Sequence, residues 1–185
     1  MEILLVALVA GGVITAAHFW RRSRASKEPR ALPAPVEERS IDGLRPGDVV
    51  VHEGQDLIVA EAMTFVDGEH RWHEVRLDDA GDEHWLLVPD DDPDGVWLGR
   101  PIEPPAIGDE PPECVDRAGV VLRLSRCGSA RRDDPDGPLV ERGYWNYGLV
   151  GDHRLWIRRD EERAAWSSYE GRRVPRHTVD VLPGS

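Results

Sequence analysis

The sequence predicts an all-β fold, in which two related halves, each a β-meander or small barrel, pack as one module behind a single N-terminal transmembrane helix. Three observations lead to this prediction. After residue 40 the apolar residues come in short runs separated by Gly, Pro and Asp, which is typical of short strands and turns. No segment beyond the first twenty residues keeps a helical period. An uncharged apolar stretch opens the chain.

The opening stretch, residues 3–20, contains no formally charged side chain. As a helix rising about 1.5 Å per residue it would be roughly 27 Å long, which just spans the hydrocarbon of a bilayer. A cleaved signal peptide is the alternative, but it needs basic residues before the apolar run, and here only Met1 and Glu2 precede it. We therefore predict an uncleaved transmembrane anchor over residues 1–22.

The charges behind this anchor predict its orientation. The basic residues that follow the apolar run are Arg21, Arg22, Arg24 and Lys27. Because positive flanks stay in the cytoplasm, the rest of the chain is expected to be cytoplasmic, on the inner side of the cell membrane. Residues 23–40 are rich in Ala, Pro, Arg and Glu, which predicts a flexible or polyproline-like tether.

Ten strands are predicted after the tether, from apolar runs bounded by turn residues. They cover residues 49–52, 57–62, 72–77, 85–88, 96–98, 120–124, 139–147, 154–157, 165–169 and 178–181. Residues 101–113 include five prolines, a density that excludes a central strand. This segment is therefore predicted as a linker between halves 41–100 and 114–183 of one β-rich domain, residues 41–185.

The order of the tryptophans suggests that the two halves are related. Those of the first half are Trp72, Trp85 and Trp97, and those of the second are Trp145, Trp156 and Trp166. An internal duplication would explain this order, although any two β-meanders alternate apolar residues with turns. We predict that Trp85 and Trp156 are buried equivalents, because tryptophan side chains make large core anchors.

Several short motifs, taken in order, resemble one bacterial family. The motifs of the first half are Leu44-Arg45-Pro46-Gly47-Asp48-Val49-Val50, Trp72-His73-Glu74-Val75-Arg76-Leu77 and Trp85-Leu86. Those of the second half are Cys127-Gly128-Ser129-Ala130, Tyr144-Trp145-Asn146-Tyr147, Leu155-Trp156-Ile157, Tyr169-Glu170-Gly171 and Val179-Asp180-Val181-Leu182-Pro183. Over residues 41–183 the chain resembles the family called domain of unknown function 4178. Val75 departs from its pattern, which often has an aromatic residue there.

The resemblance implies an accessory role at the membrane. Members of that family look like accessory components encoded beside membrane-stress proteins of the phage-shock type, small membrane proteins and polyamine-synthase-like enzymes. The resemblance carries no catalytic residue to this chain, since a shared fold does not define an activity.

The charge balance argues against nucleic acid as a partner. The chain has 35 acidic and 23 basic residues, and after residue 30 the counts are 33 and 18, a net charge of −15. Such a surface repels phosphate backbones and favours a protein partner with a basic surface.

No catalytic or cofactor motif is present in the sequence. It contains no phosphate-binding glycine loop, no dinucleotide fingerprint and no nucleophile elbow. We therefore predict no catalytic residue, no cofactor and no metal. A metal-dependent or hydrolytic enzyme that uses acidic turns and histidines is the alternative.

That alternative depends on two groups of residues. Residues 90–95 fit the first half of a calcium loop, but position twelve is Pro101 where a glutamate is needed. The same Asp-Pro-Asp-Gly sequence recurs within residues 133–137 and is typical of β-turns, so turns are predicted. His70, His73 and His84 lie close in sequence to Glu74, but adjacent strand residues point to opposite faces, so no zinc site is predicted.

The two cysteines carry little information on function. Cys114 and Cys127 lie thirteen positions apart without a second pair, so they do not make a zinc ribbon and are too few for a disulfide framework. Cys127 has no histidine or basic helix start beside it, so we expect a small buried residue.

These observations predict a membrane-anchored, non-catalytic interaction or accessory module. Its contact with a basic partner is predicted at an exposed acidic turn, because loops tolerate substitution and carry binding residues. The candidate contact residues are Asp90, Asp91, Asp92 and Asp94.

Overall fold

A computed structural model describes residues 39–107, 110–134, 140–148, 152–160 and 164–184. All of them belong to one structural unit, Glu37–Ser185. The predicted anchor, residues 1–22, and nearly all of the predicted tether lie outside the described residues. Within the described ranges, no helix is both long enough and apolar enough to cross a bilayer.

The described residues contain eleven β-strands and two single-turn 3-10 helices. The first half provides β1 (Val49–His52), β2 (Gln55–Asp67), β3 (His70–Asp79), β4 (Asp82–Pro89) and β5 (Gly95–Ile102). The second half provides β6 (Cys114–Arg117), β7 (Val120–Arg132), β8 (Glu141–Gly148), β9 (His153–Asp160) and β10 (Ala165–Pro175), and β11 (Val179–Leu182) follows. The 3-10 helices are Ile41–Gly43 and Arg176–Thr178. The all-β prediction is confirmed for these residues.

Two details of the strand prediction are wrong. The prediction omits β6, a four-residue strand that follows the proline-rich segment. It also excludes Pro101 from a strand, whereas Pro101 lies in β5 and is paired with Tyr169 of β10. Pairing between β4 and β5 covers only the stretch from Trp97 to Gly99, so Pro101 lies where β5 has a neighbour on one side only. Its missing N–H is tolerated there, as at the edge of a sheet.

Every neighbouring pair of strands is antiparallel, and together they form one sheet. Its strand order is β11-β1-β2-β3-β4-β5-β10-β9-β8-β7-β6. An additional pairing of β2 with β7, between Phe65 and Arg132 and between Val66 and Arg131, joins two strands that are far apart in that order. The eight strands from β2 to β7 therefore form a closed ring. The two halves share this ring and are parts of one module.

The two halves repeat the same local pattern. Each begins with a four-residue strand, a two-residue turn and a thirteen-residue strand. Both residues of the first turn, Glu53 and Gly54, have positive φ (50° and 79°), and so do Ala118 and Gly119 in the second (51° and 82°). This turn type matches the twist of a hairpin.

A bulge after the fifth residue of the long strand is also repeated. It lies between Val59 and Glu61 in β2 and between Leu124 and Arg126 in β7. After each bulge the cross-strand register is the same in the two halves. Trp85 of β4 and Trp156 of β9 therefore occupy corresponding positions. Glu61, Arg76 and Trp85 lie side by side in the first half, as Arg126, Asn146 and Trp156 do in the second.

The core consists of three clusters. One belongs mainly to the first half and contains Val50, Leu57, Val59, Val75, Leu77, Leu86, Val88 and Val96, among others. One belongs to the second half and contains Val115, Leu122, Tyr147, Leu155 and Ile157. The third, here called the shared core, is rich in aromatic residues from both halves: Met63, Phe65, Trp72, Trp85, Leu87, Ala130, Tyr144, Trp156 and Tyr169.

The tryptophans divide between these clusters. Trp85 and Trp156 are 6% and 1% exposed, so their predicted burial is confirmed, and both lie in the shared core. The wider matching of tryptophans by order is wrong. Trp97 packs on the shared core, whereas Trp145 and Trp166 contact each other (5.2 Å between ring centroids) at the second-half core. One-residue differences in spacing move a strand residue to the opposite face.

Candidate functional site

The predicted contact residues lie on the turn between β4 and β5, here called the acidic loop (residues 90–95). Its backbone is held at both ends. The Asp90 N–H donates to the carbonyl oxygen of Arg71 (3.0 Å), and the carbonyl oxygen of Asp94 accepts from the N–H of Arg176 (2.9 Å). Within the loop, the Gly95 N–H lies 3.4 Å from the carbonyl oxygen of Asp92. The loop therefore has a defined conformation.

Asp92 holds the loop to the second half. Nε of Arg173 on β10 donates to Oδ2 of Asp92, and Nη2 donates to Oδ1, each at 2.6 Å. This bidentate pair lowers the pKa of Asp92 below its usual range. A Cβ at Gly95 would lie 2.4 Å from the Arg173 guanidinium, so glycine is what lets that side chain lie against the loop. Asp92 therefore has a structural role.

The other three aspartates are exposed. Asp91 lies 3.2 Å from Nη1 of Arg126 on β7 and 3.4 Å from Nδ1 of His70. Asp90 has weaker contacts, 3.9 Å from Nε of Arg71 and 3.8 Å from Nε2 of His73. The loop is thus not an isolated negative patch, because basic side chains of both halves stand beside it. Asp94 has an exposed side chain at the end of the loop.

A cavity of about 200 Å³ opens beside the acidic loop, between the two halves. Trp72, Leu87 and Trp97 form its apolar wall, and Asp91 and Arg126 lie at its polar side. The predicted loop residues thus border a concave surface, which a partner's side chain can enter.

The structure gives the acidic loop no arrangement of metal ligands. Across the described ranges, no group of three or more His, Cys, Asp or Glu side chains is placed to hold a metal ion. Asp92, which a calcium loop would use, is engaged by Arg173. The second Asp-Pro-Asp-Gly segment lies mostly outside the described residues.

The histidines near Glu74 do not converge with it. His73 and Glu74 point to opposite faces of β3, as strand geometry requires. Nδ1 of His73 is 2.9 Å from Oγ1 of Thr64, whereas Glu74 lies in the interior beside Trp72. Burial lowers the pKa of both His70 and His73, which favours their neutral forms.

Sequence reasoning missed a buried charge cluster centred on Glu74. Oε2 of Glu74 accepts hydrogen bonds from Arg142 (2.9 Å) and Arg158, and Oε1 accepts one from Nε1 of Trp72 (3.1 Å). Arg158 also donates to the hydroxyl of Tyr169. The signal in the sequence was the placement of Glu74 two residues after Trp72, since residues two apart on a strand share a face.

The expectation that Cys127 is buried is wrong. Both Cys114 and Cys127 are exposed and are free thiols. In β7 only Leu122 and Ala130 are buried, and Cys127, which lies between them in the strand, has its side chain in solvent.

The fold and the loop together define a closed, antiparallel all-β module of two repeating halves around an aromatic core. The family model described as Domain of unknown function (DUF4178) matches residues 45–176, and the chain therefore belongs to that family. This match confirms the resemblance found in the motifs. No curated protein and no solved structure gives a significant match to the chain.

Proposed function

We propose that this protein is a membrane-anchored, non-catalytic interaction module with an accessory role, as in a membrane-stress system of the phage-shock type. Residues 1–22 serve as the anchor, and the β-rich domain faces the cytoplasm. The acidic loop is the contact for a basic surface on a protein partner.

The observation that carries this proposal is the way the loop is held. Asp92 is clamped by Arg173, while Asp90, Asp91 and Asp94 project into solvent from a backbone fixed at both ends. A contact surface that is ordered before binding loses less conformational entropy when a partner arrives. The net charge of −15 after residue 30 adds long-range attraction for a basic partner.

We also infer that the two halves arose by internal duplication. The repeated turn, the repeated bulge and the corresponding places of Trp85 and Trp156 support this inference. The order of the tryptophans alone does not, because it pairs residues of different clusters.

The proposed contact is tested by neutralising only the exposed carboxylates. In the full chain, Asp90, Asp91 and Asp94 are changed together to Asn, and Asp92 is kept so that the Arg173 pair survives. Recovery of the partner from native membranes, measured by pull-down and mass spectrometry, should fall most at low salt, where surface charges act at longer range. The melting temperature should stay within a few degrees.

A matched control removes the same charge elsewhere on the surface. Asp56, Asp82 and Asp180 are all exposed, and their joint change to Asn should leave recovery intact. Unchanged recovery in the loop variant at every salt concentration would reject the loop as the contact. An equal loss in the control would assign the effect to net charge alone.

A further inference from the structure

A second concave site lies away from the acidic loop, between the β1–β2 turn and the β5–β10 pair. Its volume is about 400 Å³. We call it the seam pocket, and its polar side chains include His52, Glu53, His84, Arg100, Glu170 and Arg172.

Two histidines in the wall of the seam pocket are almost fully buried. His52 and His84 are 5% and 4% exposed, and Nε2 of each has no hydrogen-bond partner among the described residues. The carboxylate of Glu53 comes within 3.9 Å of Nε2 of His52, beyond hydrogen-bond distance. Nδ1 of His52 is 3.2 Å from the carbonyl oxygen of Thr178, to which it can donate. A buried nitrogen without a partner is costly, typically about 1–3 kcal/mol, and a bound group in the pocket can supply what is missing.

The pocket also contains an arginine that makes no ion pair with the described residues. Arg172 is paired with Glu53 (2.7 Å), and Glu170 is paired with Arg117 (3.0 Å). Arg100 is directly opposite Glu170 in the β5–β10 pairing but makes no ion pair with any described residue. Its charge also contributes, after burial, to a lowered pKa of His84.

The second half shows which side chains occupy the corresponding positions of the repeat. By the repeated register, His52 corresponds to Arg117, and Arg100 corresponds to Glu170. In the second half these two positions form an ion pair of 3.0 Å. In the first half both positions carry a basic side chain, so the ion pair has no counterpart there.

His84 shows the same change. Its counterpart in β9 is Leu155, a fully buried member of the second-half core. An imidazole in place of a core leucine gives up apolar burial unless it gains a polar partner. Two of the three differences, Arg100 in place of a glutamate and His84 in place of a leucine, therefore add a basic group to the pocket, and His52 keeps a basic side chain where the second half has Arg117.

We propose that the seam pocket binds a small oxyanion, a phosphate or a carboxylate, between Arg100, His84 and His52. Arg100 supplies the permanent charge and hydrogen-bond donors suited to oxyanions. His84 can present its Nε2–H to the anion, and His52 lies in the same wall of the pocket. This site is separate from the acidic loop, so each proposal stands or fails by itself.

The binding test uses the full chain in detergent micelles, labelled with ¹⁵N at its histidines. Inorganic phosphate and, separately, acetate are titrated at constant ionic strength set with chloride, and the imidazole signals are followed by NMR. The signals of His52 and His84 should shift saturably with at least one of the two anions. The signal of His177, which is exposed and outside the pocket, should not follow that curve.

Two variants separate binding from stability. Arg100→Gln removes an exposed charge and should lower the affinity for the anion about tenfold or more, which is the loss expected for a charge-assisted contact. The melting temperature should not change. His84→Leu restores the residue type of the second half, so the fold should persist while the anion-dependent shift of His52 is lost. Arg123→Gln, an exposed arginine on β7, is the matched control and should bind as the parent does.

Three results would overturn the proposal. One is the absence of any shift at His52 and His84 with either anion up to millimolar concentration. Another is equal weakening by Arg123→Gln and Arg100→Gln, which would mean nonspecific screening. The third is a saturable response of these histidines to Zn²⁺ alone and not to the anions, which would make the pocket a metal site.

Discussion

At the scale of single residues, Glu74 is a buried charge with several charged and polar partners. Its side chain is 3% exposed, and it faces two guanidinium groups, those of Arg142 and Arg158. One carboxylate cannot balance two cations. Aromatic faces and, at Arg142, the charge of Asp160 supply further attraction. The guanidinium of Arg158 lies 4.2 Å from the ring centroid of Trp85, and that of Arg142 lies 4.5 Å from that of Phe65. Burial lowers the pKa of Arg142.

Removing the charge of Glu74 should therefore be costly. Glu74→Gln removes the carboxylate to which both Arg142 and Arg158 donate, and the free energy of unfolding should fall by about 3–5 kcal/mol. Urea denaturation of the full chain in detergent measures this loss. Glu53→Gln breaks the exposed pair with Arg172 and should cost roughly 1 kcal/mol or less. Equal effects of the two changes would contradict this account of the cluster.

Trp85 and Trp156 make a second prediction at this scale. Changing either to Ala removes a large side chain from the shared core, which should lower the free energy of unfolding by about 3–5 kcal/mol. Both rings contact Tyr169, with ring centroids 5.0 and 5.5 Å from it. Because the two tryptophans share this neighbour, the loss of unfolding free energy in the double variant should differ from the sum of the two single losses. Leu182→Ala, at a half-exposed site, is the control. Strict additivity in the double variant would argue against a shared core.

At the scale of elements, the β5–β10 pair depends on two facing glycines. Gly99 and Gly171 are register partners, and a Cβ added at Gly171 would lie 2.3 Å from the carbonyl oxygen of Leu98 and 2.6 Å from Cα of Gly99. Both contacts are to backbone, so relief requires the strands to move apart. The halves join here, so this close approach affects the whole ring.

Gly171→Ala should therefore destabilise the fold by about 1–3 kcal/mol, the usual cost of overpacking. Chemical denaturation gives the value. Gly148→Ala is a matched strand control, because its added Cβ would meet only the guanidinium end of Arg154, at 3.4 Å or beyond. If both variants unfold at the same denaturant concentration, the strands at this pair have room that the structure does not show.

Most strands could be predicted from the sequence, because the apolar alternation that defines a strand is local. The bulges could not, since an extra residue such as the one between Val59 and Glu61 leaves no mark except a shift of the alternation. The pairing of β2 with β7 was equally hidden, because Phe65 and Arg132 are far apart in the chain. Strand β6 was missed because Val115 is its only buried residue, so it contains no apolar run.

The candidate loop illustrates the same limit. Its position and its turn character follow from Asp-Pro-Asp-Gly, which is local information. Which of its four aspartates has a structural role depends on Arg173, which lies 81 residues after Asp92. The bidentate pair with Arg173 gives Asp92 that role. The seam pocket was invisible for the same reason, since His52, His84 and Arg100 lie on three different strands.

At the scale of the whole molecule, the predicted membrane topology can be tested directly. A reporter that works only outside the cytoplasm, fused to the carboxyl end, should stay silent, because the basic cluster from Arg21 to Lys27 holds its flank inside. A reporter active only in the cytoplasm, fused at the same place, should give signal. A strong signal from the first fusion would reverse the orientation and remove the cytoplasmic partner from the proposal.

The pairing of β1 with β11 has a consequence for synthesis of the chain. Val49 finds its partner, Leu182, only when 133 further residues have been made. At a translation rate of about 5–20 residues per second, this takes on the order of ten seconds. During that interval β1 and β5 both present unpaired backbone groups beside the ribosome. A strand of only four residues, such as β1, offers a passing chain little to pair with, and this brevity protects the nascent protein from aggregation.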